Sequence, residues 1–192
     1  MRRAVLSLTA ASLALSGCAL LFPAVPSLQD WTGTPTSPRP EFRQIADRDC
    51  VPALPFVPDV VIQDQRGDEG ALFVFRGEGQ DGSCPVFRYD DGRLARGGIT
   101  WGTWFGADAL ERRTSSMAWS GPMSTTTYSD VVGGYPPGTV RVVIDLDDGT
   151  SVEATVEADR YAAWWPTDAE AVLVRALDAA GATIATIPTS GY

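Results

Sequence analysis

The sequence predicts a mainly β protein, an antiparallel β-sandwich or barrel-like sheet with one short helix near the start of its domain. Three observations carry that prediction. Over residues 139–146, Val140, Val142, Ile144 and Leu146 fall on one face, with Arg141 and Asp145 opposite. After the turn Asp147-Asp148-Gly149, residues 151–157 alternate strictly, with Val152, Ala154 and Val156 inward and Ser151, Glu153, Thr155 and Glu157 outward. A period of two with one polar face marks a half-buried antiparallel hairpin. Turn signals recur at short intervals (66–70, 81–82, 90–92, 147–149 and 178–181), the spacing of a sandwich or barrel. Helical spacing shows only at 41–49, where Phe42, Ile45 and Ala46 share one face before the Pro52–Pro58 run.

Before that domain the chain opens with Arg2 and Arg3, then an uncharged apolar run over 4–16. A positive start and a run this short read as a signal peptide, because a spanning helix needs roughly 20 apolar residues. The run ends in Leu15-Ser16-Gly17-Cys18, which resembles the lipobox of bacterial lipoproteins. The resemblance implies cleavage between Gly17 and Cys18 and a thioether-linked diacylglycerol on Cys18. It also implies lasting attachment to the extracytoplasmic face of the cell membrane, since two or more acyl chains hold where one does not. The alternative is a plain secretory signal with Cys18 a bystander. The expected organisation is thus a leader over 1–17, a lipidated cysteine and Pro-rich tether over 18–40, and a single mainly β domain over 41–192. Pro23, Pro26, Pro35, Pro38 and Pro40 give the tether its extended stretches, and Trp31 is placed to dock on the domain.

Composition excludes more than it assigns. The chain has 192 residues and a formal charge of −9, which deepens when Arg2 and Arg3 leave with the leader. That balance repels nucleic acid, and no nucleic-acid partner is expected. There is no His, Lys or Asn. Ser-His and Cys-His nucleophile pairs, imidazole metal ligands, Schiff bases and the phosphate-loop lysine are therefore absent. No Gly-x-Ser-x-Gly elbow or Cys-x-x-Cys occurs, and neither cofactor nor metal is expected. Beside Cys18 two cysteines remain, Cys50 and Cys84. In an oxidising compartment a disulfide is the simplest reading, with a reactive thiol or a two-cysteine metal site as the sharper alternatives.

The remaining elements follow in order. Residues 60–62 and 71–75 are strands about the turn 66–70, and 84–89 is a third strand. The stretch 97–106, with Trp101, Trp104 and Phe105 among glycines, is an irregular strand or an aromatic loop. Residues 161–165 form a short strand ended by Pro166, and 171–177 with 183–187 form a closing hairpin. The block Gly134-Tyr135-Pro136-Pro137-Gly138-Thr139-Val140-Arg141-Val142, with Asp148-Gly149, Ala162-Ala163-Trp164-Trp165-Pro166 and Asp178-Ala179-Ala180-Gly181, resembles one at the carboxyl end of secreted proteins of high-GC Gram-positive bacteria. It implies a β domain outside the cell and brings no activity with it.

Four candidate sites stand against ordinary structural roles. Trp164 and Trp165 alternate, so one faces the core and the other packs on the tether or meets a partner. With Trp101 and Trp104 they form the expected binding surface for an envelope glycan or protein, since exposed aromatics concentrate at interaction sites. Trp119, Phe105 and Tyr128 extend that aromatic set or serve as core. Asp145, Asp147 and Asp148 beside Gly149 suggest a calcium loop, but Gly comes one position early and a solvated hairpin turn accounts for them. Asp64, Asp68 and Glu69 around Arg66 offer paired carboxylates to a glycan hydrolase, or a salt-bridged surface turn. A non-enzymatic binding module is the expectation and an envelope glycan hydrolase the alternative.

Overall fold

The computed structural model describes Pro26, 28–103, 109–120 and 125–188, leaving aside the side chains at 60, 119, 120 and 125. Cys18, Trp104 and Phe105 lie outside the described residues. A helical segment comes first: α1 (Pro40–Ile45) passes into a π-helical turn (Ala46–Cys50) and a 3-10 turn (Val51–Ala53). Pro40 suits the first turn, where its missing N–H is no loss, and the Pro52–Pro58 run prevents continuation.

All else described with regular structure is strand, in three antiparallel sheets. The first holds β1 (Val60–Arg66), β2 (Gly70–Gly77), β3 (Gln80–Arg88) and β4 (Leu94–Arg96) in that order, with β5 (Thr100–Thr103) also pairing with β3. The second holds β6 (Arg113–Ser120), β7 (Thr125–Gly134), β10 (Thr155–Glu157) and β11 (Arg160–Trp165) in the order β10-β11-β7-β6. The third holds β8 (Arg141–Leu146), β9 (Ser151–Glu153), β12 (Ala171–Leu177) and β13 (Thr183–Pro188) in the order β13-β12-β8-β9.

Side-chain alternation stacks these sheets. One face of the first sheet takes the helical segment, with Phe42, Ala46 and Phe56 against Phe73, Phe75 and Val86. Cys50 and Cys84 are bonded there, tying the helical segment to β3. The other face (Ile62, Leu72, Val74, Phe87) packs on Tyr128, Val132, Ala162 and Trp164 of the second sheet. The second sheet's far face (Val131, Tyr161, Ala163, Trp165) packs on Val142, Ile144, Val152 and Val174 of the third. The second sheet is therefore covered on both sides, and every residue of β11 is buried. The sandwich has three layers of sheet and does not close into a barrel.

Several expectations change in detail. The hairpin at 139–157 forms through β8 and β9, but the alternating second strand divides at Ala154. Its first half pairs with β8 and its second half crosses to pair with β11. Val140 lies outside the strand, exposed at its start. The stretch 97–106 contributes the edge strand β5. The pairing of β6 with β7 went unforeseen before Val131.

The Pro-rich segment is also more ordered than a tether. The Trp31 indole Nε1 donates to the Trp164 carbonyl at 3.0 Å, Glu153 N to the Gly33 carbonyl at 2.9 Å and Thr36 N to the Gln65 carbonyl at 2.8 Å. Pro26 bridges Tyr89. Trp31 packs beneath two of the three cores. The docking expected of Trp31 thus extends to its neighbours, and the described residues before Glu41 pack with the domain.

Candidate functional site

Alternation puts Trp164 and Trp165 on opposite faces of the middle sheet, and both faces of that sheet are covered. Trp164 is 0% exposed and Trp165 2%. Trp164 Nε1 donates to the Asp64 carbonyl at 3.2 Å and Trp165 Nε1 to the Ala169 carbonyl at 2.8 Å. Neither stands out as an exposed aromatic: the expectation that only one would be buried assumed a sheet with one wet face. Tyr128 is buried against Phe87 and Trp164. Trp101 remains, 56% exposed on β5. Its partner across the ladder is Gly82, whose side of the sheet faces Leu54 and Phe56. Trp101 thus flanks an apolar rim that includes Val57, which is 74% exposed.

The candidate carboxylates part company in the same way. Asp64 and Arg66 form no surface turn; both side chains are fully buried between sheets. Arg66 Nε donates to Asp64 Oδ2 at 2.8 Å and Nη2 to Oδ1 at 3.1 Å. Its remaining N–H groups reach the carbonyls of Thr32 and Glu153. Thr155 Oγ1 donates to Asp64 Oδ1 at 2.7 Å. Burial pushes the Asp64 carboxyl up, and the Arg66 guanidinium with the Thr155 hydroxyl pulls against it. Arg66 also lies 5.9 Å from the Trp31 ring. This network joins the first sheet to β9, β10 and the docked segment, where water and substrate do not reach. A second buried pair, Arg160 Nε to Asp81 Oδ1 at 3.3 Å, performs the same joining near the other end of the sheets. Asp68 and Glu69 turn outward to Arg39 and to the Gln29 N–H.

The calcium-loop acids are each engaged within the third sheet, by their own hairpin or by β12 and the turn before it. Asp145 is held bidentately by Arg175 Nε and Nη2, both at 2.8 Å, and that bond keeps its carboxyl below the usual range. Asp148 accepts from Thr150 N and Oγ1, and Asp147 from Glu170 N. Among the described residues no group of His, Cys, Asp or Glu is arranged to hold a metal ion. None of their helices is long and apolar enough to cross a membrane.

A concavity lies where the sequence offered least. The face of β6 carrying Thr114 and Ser116 projects past the third sheet, and the turn 166–170 leading to β12 walls it in. The result is an open groove of about 420 Å³ lined by Arg112, Thr114, Ser116, Thr127, Asp168 and Glu170, with Ser129 and Trp165 at its base, while the Asp130 carboxyl behind it points to the other face of the sheet with Ser115. That volume falls within the range of small-ligand sites. Ser129 Oγ donates to the Thr167 carbonyl at 2.9 Å and fixes the wall to the base. The hydroxyls of Thr114, Ser116 and Thr127 have no hydrogen-bond partner among the described residues and face the groove. Asp130, 4% exposed, accepts from Ser115 Oγ at 2.6 Å. Burial raises its carboxyl to about 6, against the pull of Ser115, Tyr128 and Arg113. The groove suits a ligand rich in hydroxyls and poor in negative charge.

Alternating apolar residues betray a core-facing strand, whereas β6 and the start of β7 are a run of Ser and Thr without that signature. Their one signal is β-branched threonine at 125–127, which favours strands. No protein-family model, curated protein or solved structure matches this chain.

Proposed function

We propose that this protein is a lipoprotein held at the extracytoplasmic face of the cell membrane by lipid on Cys18, and that its β domain is a non-enzymatic binding module for an envelope glycan. The observation that carries the binding role is the β6–β7 groove, with outward hydroxyls on one side and carboxylates on the other. Such a lining matches the alternating donors and acceptors of a sugar chain, and its negative charge disfavours phosphorylated polymers. The Cys50–Cys84 bond supports an oxidising compartment. The Leu15-Ser16-Gly17-Cys18 pattern supports the anchor.

Retention of the full chain on purified insoluble cell-wall glycan tests the binding role. Thr127→Ala combined with Ser116→Ala removes two hydrogen bonds of about 1 kcal/mol each, so retention falls roughly 10- to 30-fold. Unchanged retention refutes the groove as the site. Labelled palmitate entering the wild type but not Cys18→Ala tests the anchor, and label in both refutes it. A second reading, a glycan hydrolase using paired carboxylates, draws on Asp168 and Glu170, which both line the groove. Release of reducing ends by the wild type, abolished in Asp168→Asn or Glu170→Gln, would establish it in place of the binding role.

A further inference from the structure

Where the chain enters the fold limits how the domain stands on a membrane. Pro26 bridges Tyr89 just past the end of β3. At that same end Trp164 packs against Phe87, and an added Cβ on Gly70 would lie 2.6 Å from its indole. The groove is there too, because Trp165, Ser129 and Ser116 occupy the matching end of the middle sheet. The opposite end holds the turns 77–80 and 157–160, tied by Arg76 to Asp159, with Val57 packed beside Gly77. Trp101, paired with Gly82 near the start of β3, belongs to that end.

We propose that the docked segment sets the domain's orientation on the bilayer, with the Tyr89 and groove end facing the membrane and the Trp101 and Val57 end presented outward. This rests on the lipid anchor at Cys18. Eight residue steps separate Cys18 from Pro26, and at roughly 3.3–3.6 Å each they reach at most about 29 Å. The nine residues of β3 span about 30 Å. Inverting the domain would lift Pro26 by that length and draw the linker taut, which chain entropy opposes. A free linker running to residue 40 would span more than twice as far and set no orientation; the bonds made by Trp31, Gly33 and Thr36 remove that slack. The groove then meets ligands close to the bilayer, while the apolar rim meets whatever lies further out.

The test uses the full lipidated chain in phosphatidylcholine vesicles containing an acceptor-labelled lipid. Cys18 is consumed by lipid and Cys50–Cys84 by the disulfide, so Asp90→Cys or Val57→Cys supplies the one free thiol for a donor dye. Both positions are exposed. With the two ends about 30 Å apart, transfer from position 90 exceeds that from position 57 by about twofold or more. A spacer of about twenty Gly/Ser residues inserted after Phe22, with a mean span near 25 Å, brings the two values together. Equal or reversed transfer in a chain that floats with the vesicles overturns the orientation alone, as does a difference that survives the spacer. A chain that does not float overturns the anchor, and the orientation with it.

Discussion

Asp130 offers the most direct check on the packing of the three layers. Its carboxyl titrates near 6 in the fold, against 3.8 as the ordinary value, because burial penalises the charged form. The folded chain therefore binds that proton more tightly than the unfolded chain does. At about 1.4 kcal/mol per pH unit the difference approaches 3 kcal/mol. Since the folded value is the raised one, this stabilisation is fully present below pH 3.8 and is lost as pH rises through about 6. Asp130→Asn keeps an acceptor for Ser115 and cannot ionise. Urea unfolding of both proteins at intervals from pH 3 to 8 isolates the effect, because titrations elsewhere cancel in the difference. The free energy of the wild type minus that of the variant should fall by about 2–3 kcal/mol between pH 4 and 7, with the steepest part around pH 5. A flat difference refutes a buried carboxyl at this position, and a rising one would mean that Arg113 and the hydroxyls outweigh burial.

Three further predictions concern the joints between layers. Arg66→Met leaves the buried Asp64 carboxylate without its partner and costs about 3–5 kcal/mol in thermal or urea unfolding, whereas the double variant with Asp64→Leu recovers most of that loss. If the double variant is no more stable than the single one, the pair is not sealed from water. Reducing Cys50–Cys84 frees a loop of about 35 residues and lowers stability by about 3–4 kcal/mol in the chain-entropy model, read as a shift in urea midpoint with and without reductant. Gly70→Ala drives a methyl into the Trp164 indole and costs about 1–3 kcal/mol, with a change in tryptophan fluorescence as its signature.

Strands with one wet face were the most legible part of this fold. Val142, Ile144 and Leu146 alternate with Arg141 and Asp145 because that part of the third sheet faces solvent on one side. The helical segment showed itself through Phe42 and Ala46 for the same reason. Alternation misled at Trp164 and Trp165 because it describes a strand's two faces but not what covers them. Arg66 misled too: followed by Gly67 and Asp68 it reads as a surface turn, yet β1 carries it inward to meet Asp64 and the Glu153 carbonyl. The groove was illegible because hydroxyl-bearing strands resemble loops in composition and the opposing wall comes from the distant turn 166–170.

By itself the sequence determined local matters: antiparallel strands, their turns, the tie between Cys50 and Cys84, and the exclusion of imidazole and amine chemistry through missing residue types. Only the tertiary structure decided that there are three sheets, that Ala154 is where one strand changes partners, and that residues 28–39 belong to the domain. The physical reason is reach. Periodicity and turn propensity are set by neighbours a few residues apart, whereas burial of Trp164, pairing of Arg66 and closure of the groove depend on groups brought together across some forty to one hundred and thirty residues of chain.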